Sequence, residues 1–454
     1  MNRIKSYFIS FHPFTLVIIL TILFMPFHFL KANASYTIMY LLIETLSIFM
    51  AFSITLILWY TYDYSKGFFQ ILGSSFLAAG VLKLFHTLSF PGMPEFITTS
   101  SETKAMWFWI VSRFIVAVSL FLSGLAAARA PGLNLARSVI FGVFGGITIA
   151  LLAFVSFYSQ YYNNLLISLS AGFFNTFIIL LLFLGIVFFK ISKSFSPNTE
   201  KLLSAGMICG IFSELVIALQ LGEGSTFNLL GHFYKLLAYF FFFHALFGQT
   251  VRLPYIELEK LMNQTVSAIS RALDGRDNYT YNHSSRVAEY ACVIGQILGV
   301  DKEMMKNLKL SGLLHDIGKI AVPDSVLNKA GPLTPSEREI IKLHPLKGAD
   351  ILEPIERLQI LRGISEHHER IDSKGYPLGK PGEEISMEGR ILAVADTFDA
   401  LTSNRVYRAK RSKEESLKII NEVAGTQLDE TVVNAFVKAE EIGLIDKIMD
   451  KYIG

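Results

Sequence analysis

Long stretches of apolar residues alternate with short polar segments through the first 250 residues of the chain. A window of about 19 residues identifies stretches that can cross a hydrocarbon core of about 30 Å as helices. The eight stretches lie near residues 14–30, 37–58, 68–90, 105–128, 136–157, 165–189, 203–222 and 229–250. The pattern therefore predicts a polytopic helical membrane domain of about eight spans over residues 1–250, with Pro26 inside the short first span.

The pattern changes after Pro254, where apolar residues recur at helical spacing among charged ones. The amphipathic run comprises Ile256, Leu258, Leu261, Met262, Val266, Ile269 and Leu273. It predicts a connecting helix over residues 251–275 that leads into a soluble domain over residues 262–454. Two interpretations stay open, because the helix either pairs with a second copy of itself or is simply the first helix of the soluble fold.

Helical signals continue through the soluble part. Apolar residues from Val287 to Leu298 form one stripe that ends at Gly299. Two capping boxes mark helix starts: Thr334 with Glu337, and Ser412 with Glu415. No segment alternates convincingly as a strand. The chain is therefore expected to be all-α, with the membrane domain followed by an all-helical domain.

Charge is distributed as unevenly as hydropathy. Residues 1–250 hold 20 of the 79 Lys, Arg, Asp and Glu residues and carry a formal charge of +6, whereas the other 204 residues carry −3. A mildly acidic soluble part gives no indication of binding a nucleic-acid polymer. Cys209 and Cys292 lie in different parts, which is typical of a chain whose soluble part stays in a reducing compartment.

Basic residues between the predicted spans indicate the orientation. With eight spans both termini lie on one side, and that side carries eight basic residues against two on the other. Because cytoplasmic loops are enriched in Lys and Arg, the soluble domain is expected in the cytoplasm. The eight are Arg3, Lys5, Lys66, Arg129, Arg137, Lys190, Lys193 and Lys201, and the two are Lys31 and Lys104.

Several ionisable residues lie at membrane depth: Glu44, Lys83, His86, Arg113, Glu214, His232 and Lys235. Charges there are costly and usually face the interior of a helix bundle. They either form a pocket that senses a ligand or ion, or make internal ion pairs and snorkel to an interface. We favour snorkelling for Lys235 and leave both interpretations open for Glu44, Arg113 and His86.

Every histidine in the last 204 residues sits in a pattern that can hold a metal: His283, His315, His344, His367 and His368. Asp316 follows His315 in the run HDIGK, and Asp396 lies in AVADTFDALT. Imidazole with carboxylate suits iron, manganese or zinc. These seven side chains exceed the needs of one metal. Two metals about 3.5–4 Å apart can hold a bridging hydroxide for in-line phosphoryl displacement.

Other side chains near this set offer contacts to a phosphodiester. Lys319 follows His315 by one turn, and Arg405 and Arg408 lie one turn apart, so all three can neutralise phosphate charge. Each is also interpretable as an ordinary solvated charge, and Tyr376 as simple loop packing. A lone histidine is more often packed or exposed than a ligand. The joint pattern favours a metal-dependent hydrolase attached to a membrane.

The order of these motifs resembles the HD-GYP family of the HD phosphohydrolase superfamily over roughly residues 262–440. The segments that match are LDGRDNYTYNHSSRVAEYA, LLHDIGKIAVPDSVLNKAGPLT, HHERIDSKGYP, GRILAVADTFDALTSNRVYR and AGTQLDE. The resemblance implies an all-α, metal-dependent phosphodiesterase that cleaves cyclic di-GMP to pGpG and often onward to GMP.

The resemblance also implies roles for individual residues. The implied metal ligands are His283, His315, Asp316, His344, His367, His368 and Asp396. The implied catalytic residues are Asp316 and Lys319, and the implied substrate contacts are Lys319, Gly375, Tyr376, Pro377, Arg405 and Arg408. Some members hold a third metal through a Glu four residues before the first ligand histidine. Tyr279 stands there, so two divalent ions, iron or manganese, are expected. Departures at Ile371, Ser373, Lys374 and Val406 affect loop shape and guanine fit.

Residues 10–255 resemble a bacterial membrane-associated sensor domain of the third type, through HTLSFPGMP (86–94), Glu44 and GHFYKLLAY (231–239). The whole chain is therefore expected to be a membrane-bound cyclic di-GMP phosphodiesterase, regulated by an unknown signal ligand. A homodimer is expected, and diguanylate cyclases or response proteins are candidate partners. The alternatives are a receptor that holds cyclic di-GMP without cutting it, and an HD phosphohydrolase that acts on another nucleotide.

Overall fold

A computed structural model describes residues 33–64, 67–90, 97–161, 164–218, 226–276, 282–355, 362–403 and 410–452, together with Met93 and Glu95. These residues form helices and turns, with no strand beyond an isolated bridge such as that between Ala424 and Leu428. The all-α prediction is therefore confirmed. The chain divides into two compact units, Met1–Glu257 and Leu258–Gly454.

Seven helices among the described residues are long and apolar enough to cross a membrane. The helices of the first unit are α1 (Asn33–Tyr60), α2 (Gly67–Leu88), α3 (Glu102–Arg129), α4 (Arg137–Tyr158), α5 (Asn164–Ile191), α6 (Pro197–Ala218) and α7 (Thr226–Phe247). They coincide with seven of the eight predicted spans. The remaining one, near residues 14–30, lies outside the described residues.

Buried ion pairs join the membrane-spanning helices. Lys83 of α2 donates to Glu44 of α1 at 2.9 Å, and His232 of α7 donates to the second oxygen of the same carboxylate. Arg113 of α3 pairs with Glu214 of α6. All five side chains are buried. The structure therefore confirms internal ion pairs for these residues.

Lys235 and His86 are also inside the bundle. The prediction that Lys235 snorkels is wrong, because the residue is only 6% exposed and its Nζ is buried. Its position near the middle of α7 keeps the side chain among other helices. The His86 ring donates from Nδ1 to the Ala105 carbonyl and accepts from the Tyr40 hydroxyl at Nε2, both at 2.7 Å.

The remaining helices are α8 (Leu253–Arg276), which covers the predicted connecting helix, α9 (His283–Leu298), α10 (Lys302–Leu314), α11 (Asp324–Leu327), α12 (Pro335–Lys342), α13 (His344–Leu352), α14 (Arg362–Glu366), α15 (Met387–Thr402), α16 (Lys413–Glu422), α17 (Glu430–Glu441) and α18 (Leu444–Lys451). Both predicted capping boxes are present, at the starts of α12 and α16. The stripe on α9 ends as predicted at Gly299, whose φ of 70° is left-handed.

The core of the second unit forms where α9, α15 and α17 meet. Tyr290 packs edge-on against Phe398 with ring centroids 5.3 Å apart, and Phe398 contacts Phe436 at 4.7 Å. All three side chains are fully buried. Aromatic rings of this size contribute much of a core's buried area, so this contact fixes α15 beside α9.

The contact between α9 and α10 depends on Gly312. A Cβ at this position would lie 2.5 Å from the Cα atom of Ala288 and 2.9 Å from its nitrogen. Gly312→Ala is therefore expected to push the helices apart and to destabilise the protein by about 1–3 kcal/mol. The measurement is the thermal unfolding midpoint of the full chain in detergent.

Gly275→Ala is the matched control for this substitution, because a Cβ at Gly275 meets no atom within 4 Å. Its midpoint should stay at or above that of the unsubstituted protein, since alanine favours a helix more than glycine does. Equal losses in both variants would contradict the packing argument.

Candidate metal centre

The seven predicted donor side chains come from several elements of the second unit. His283 begins α9, His315 and Asp316 follow α10, His344 begins α13, His367 and His368 follow α14, and Asp396 lies in α15. Five are buried, whereas His368 and Asp396 are partly buried. All of them except Asp396 lie at helix ends, where the packed helices meet.

The first group of donors surrounds His283. The Nε2 atoms of His283 and His315 lie 3.3 Å apart. Asp316 Oδ2 lies 3.4 Å from His315 Nε2, and Asp396 Oδ1 lies 3.4 Å from His283 Nε2. The donor atoms of His283, His315 and Asp316 all fall within 4.8 Å of one another, which is close enough for one metal ion.

The second group consists of His344, His367 and His368, whose donor atoms also fall within 4.8 Å of one another. The Nε2 atoms of His344 and His367 are 3.2 Å apart. The other oxygen of Asp316, Oδ1, lies 3.3 Å from His344 Nε2. The Asp316 carboxylate therefore lies between the two groups and offers one oxygen to each.

Gly318 allows the turn that carries Asp316 to approach α13. A Cβ on Gly318 would lie 1.9 Å from the carbonyl oxygen of His344. Any side chain there would move His344 away from Asp316. The glycine of HDIGK thus positions the second group, a role that the motif letters alone did not indicate.

Hydrogen bonds at Nδ1 set the orientation of three of the histidine rings. The Nδ1 atoms of His315, His344 and His367 donate to the carbonyl oxygens of Gly312, Ile341 and Ile364 at 2.8–2.9 Å. When the rings are neutral, each Nε2 then carries a lone pair that is directed at the cluster. Such second contacts fix both the tautomer and the angle of metal-binding imidazoles.

Asp399 fixes the orientation of the His283 ring in the same way, and this residue was not among the predicted site residues. Its Oδ2 accepts from His283 Nδ1 at 2.8 Å, and Arg286 holds both carboxylate oxygens at 2.6 and 2.9 Å. Although burial opposes it, hydrogen bonds from His283 and Arg286 lower the pKa of Asp399 to about 2. The spacing of Asp399 could have indicated this role, because it follows Asp396 by one turn of the same helix.

The carboxylates of the cluster are ionised. Burial opposes the charged form of Asp316, but Lys319 and His315 lower its pKa well below the usual range. Burial also opposes the charged form of Asp396, and His283 and His315 lower the pKa of that carboxyl. Both groups therefore present anionic oxygen at neutral pH.

The histidines differ in their protonation. Burial lowers the pKa of His368 to about 3, and burial together with His368 lowers that of His367. Burial opposes a proton on His315 as well, but Asp316 and Asp396 raise its pKa to about 9. A metal bound at the first group therefore replaces a proton on His315, whereas His367 and His368 are already neutral ligands.

The donor set fits two divalent ions. The Nε2 atoms of His344 and His367 face each other at 3.2 Å, and both carry lone pairs in the neutral rings because each Nδ1 donates to a carbonyl oxygen. A cation between them removes the repulsion of these lone pairs. Nitrogen and carboxylate donors in each group suit iron, manganese or zinc. The position expected for the third-metal glutamate, Tyr279, lies outside the described residues.

The structure describes some of the predicted substrate contacts and not others. Lys319 Nζ lies 2.7 Å from Asp316 Oδ2. Tyr376 stacks on His368 with ring centroids 4.6 Å apart, and its neighbours Gly375 and Pro377 belong to the same turn. Arg405 and Arg408 lie outside the described residues, so their roles stay predictions.

The described residues of the second unit thus combine an all-helical fold with a buried cluster of histidine and aspartate. Residues 267–432 match the family described as HD domain, and residues 32–254 match the family described as membrane-associated sensor domain. The chain therefore combines a membrane sensor domain with an HD domain.

Curated relatives match part of the chain. It is 37% identical over 185 residues to a cyclic di-GMP phosphodiesterase response regulator of Xanthomonas campestris, covering 40% of this chain and 49% of that protein. It is 36% identical over 191 residues to a cyclic di-GMP phosphodiesterase of Thermotoga maritima (41% and 52%) and to a 3'3'-cGAMP-specific phosphodiesterase of Vibrio cholerae (41% and 44%). The chain spans about half the length of these relatives.

Replacing Asp399 tests the contact behind His283. Asp399→Asn keeps the size of the side chain but removes the charge that holds the ring, so metal affinity should fall by about tenfold or more. Competition with a chelator measures the affinity. Asp429→Asn is the control, because it loses an ion pair to Arg390 without touching a predicted ligand. An equal loss in the control would contradict a specific role for Asp399.

Proposed function

We propose that the chain is a membrane-bound phosphodiesterase that hydrolyses cyclic di-GMP to pGpG, with GMP as a further product. The observation that carries the proposal is Asp316, whose two oxygens lie against two separate groups of imidazoles. Shared carboxylates of this kind belong to two-metal sites for in-line phosphoryl displacement. The names of the Xanthomonas and Thermotoga relatives support this substrate.

Each part of the site has a role in this proposal. Two divalent ions, iron or manganese, held by the two histidine groups, Asp316 and Asp396, would supply Lewis-acid charge at the scissile phosphate. Lys319 lies beside Asp316 and would neutralise a phosphate oxygen or the leaving group. Tyr376 presents a flat ring beside His368, against which a guanine would stack.

A second candidate concerns the nucleotide. The Vibrio cholerae relative carries a 3'3'-cGAMP-specific name, so an HD phosphohydrolase with a different cyclic dinucleotide substrate is the specific alternative. A receptor that binds cyclic di-GMP without cutting it is the other, and it is disfavoured by the complete donor set. Measuring the binding and turnover of cyclic di-GMP and of 3'3'-cGAMP on one sample distinguishes the three candidate functions.

Turnover by the purified full chain tests the proposal. With Mn²⁺ or Fe²⁺ the protein should convert cyclic di-GMP to pGpG or GMP. Chromatography of the nucleotides measures this conversion, and the metal content is measured on the same sample. The double change His315→Ala and Asp316→Ala removes donors of both groups. Turnover should then fall by at least about a thousandfold, since metal catalysis contributes several kcal/mol.

Asp350→Ala is the control for this loss, because that carboxylate is exposed on α13 and faces none of the donors. It should keep full turnover. Metal-loaded protein that binds cyclic di-GMP without forming product would support the receptor, and faster cleavage of 3'3'-cGAMP would support the other substrate.

The proposal extends to location and assembly. The bias of basic residues supports an inner-membrane protein with a cytoplasmic catalytic domain. On α8, Leu258 and Leu261 are 64% and 59% exposed, which supports a homodimer through this helix. Changing both to Glu should convert a dimeric mass in detergent to a monomeric one. A monomeric mass for the unchanged, fully active protein would contradict the dimer.

A further inference from the structure

Arg276, the last residue of α8, binds the backbone of the turn that carries Lys319. Its Nη1 donates to the carbonyl oxygens of Ile320 at 2.8 Å and of Lys319 at 3.3 Å, and its Nη2 donates to that of Val322 at 2.9 Å. These carbonyls lie at the end of the 3₁₀ turn Ile317–Ala321, where carbonyl groups need partners from outside the turn. One guanidinium group therefore holds the end of this turn through three carbonyl oxygens.

Two further hydrogen bonds fix the end of α8 to the chain that follows the turn. Arg276 Nε donates to Asp324 Oδ1 at 3.0 Å, and Asn328 Nδ2 donates to the carbonyl oxygen of Arg276 at 3.2 Å. The planar fork of a guanidinium group presents several donors at once, whereas an ammonium group is a single point charge. The residue type at position 276 therefore suits this set of acceptors.

Other contacts hold the same turn from α13 and from the side of α8. A Cβ on Gly318 would lie 1.9 Å from the carbonyl oxygen of His344, so the turn packs directly against α13. Ile317 is buried in one apolar cluster with Val266 and Leu273 of α8. The position of the turn is therefore set by α13 and α8 together.

The backbone of this turn places Lys319 beside the predicted metal centre. Lys319 Nζ lies 2.7 Å from Asp316 Oδ2. A lysine side chain is a flexible four-carbon stem, so the point that its ammonium reaches depends on where the backbone is held. A misplacement of about 1 Å in a group that acts on the reacting atoms can lower a rate by about a hundredfold.

We propose that Arg276 is a positioning residue, which holds the backbone of Lys319 so that its ammonium meets the phosphodiester. This inference rests on the proposed function, in which Lys319 neutralises charge on the phosphate or the leaving group. Among the described residues, Arg276 makes no hydrogen bond to a predicted metal ligand, so it acts through Lys319. Helix α8 follows α7 and the π-helical segment Gly248–Arg252 without a break. The position of Lys319 therefore depends on the helix that continues the last membrane span.

A double-mutant cycle on the full chain in detergent tests the proposal. Arg276→Met keeps an unbranched side chain but removes the donors, and it should lower kcat for cyclic di-GMP by about 10- to 100-fold. In a Lys319→Met background the same change should lower kcat by less than about twofold, because the group through which Arg276 acts is already gone. Arg276→Lys should keep most of the loss, since an ammonium cannot hold the three carbonyls together.

Arg271→Met is the matched control, because it makes the same change at an exposed arginine of the same helix. It should keep the turnover of the unchanged protein. Chelator competition should show metal affinity in Arg276→Met within about threefold of that of the unchanged protein, since no donor is removed. Equal losses from Arg276→Met with and without Lys319 would indicate a general effect on the fold and would overturn the proposal.

Amide hydrogen exchange gives a readout that does not use turnover. In Arg276→Met, exchange over residues 317–328 should become at least about tenfold faster, whereas α17 should keep its protection. Unchanged exchange in this segment would overturn the proposal. If the unchanged protein shows no turnover but exchange accelerates as expected, the contact between Arg276 and the turn is supported and only the proposed activity fails. If Arg276→Met does not fold, Arg276→Lys takes its place in both measurements.

Discussion

The carboxylate of Asp316 is the constraint on which the arrangement of the second unit depends. It is buried yet ionised, because Lys319 and the nearby imidazoles stabilise its charge. Donors from α9 and from the segment after α10 meet one oxygen, and the start of α13 meets the other. Helices that would otherwise pack only through apolar faces therefore converge on a polar centre.

The membrane-spanning unit obeys a related constraint, but its surroundings are lipid and not water. Lipid supplies no hydrogen bonds, so polar side chains must find partners inside the bundle. Glu44 joins α1 to α2 and α7, and the pair of Arg113 with Glu214 joins α3 to α6. Removing one partner leaves a buried charge, which makes such pairs sensitive points for any conformational change in a sensor domain.

Local patterns predicted much of this protein. Apolar runs located seven described spans, the capping boxes at Thr334 and Ser412 marked helix starts, and the histidines with their aspartates identified the donors that the structure brings together. Each of these signals resides in a short segment. The prediction for Lys235 was wrong because the sequence pattern did not indicate which face of α7 is turned inward.

The sequence by itself determined the helices, the two-part organisation and the chemistry of the donor set, since periodicity and residue type act locally. Only the tertiary structure decided which donors share a group, that Asp316 lies between both groups, and that Asp399 orients His283 from 116 positions away. It also decided that Lys83, Arg113, Lys235, Glu44 and Glu214 are all buried among the membrane helices. Such relations depend on how distant segments pack, and spacing along the chain carries no record of that packing.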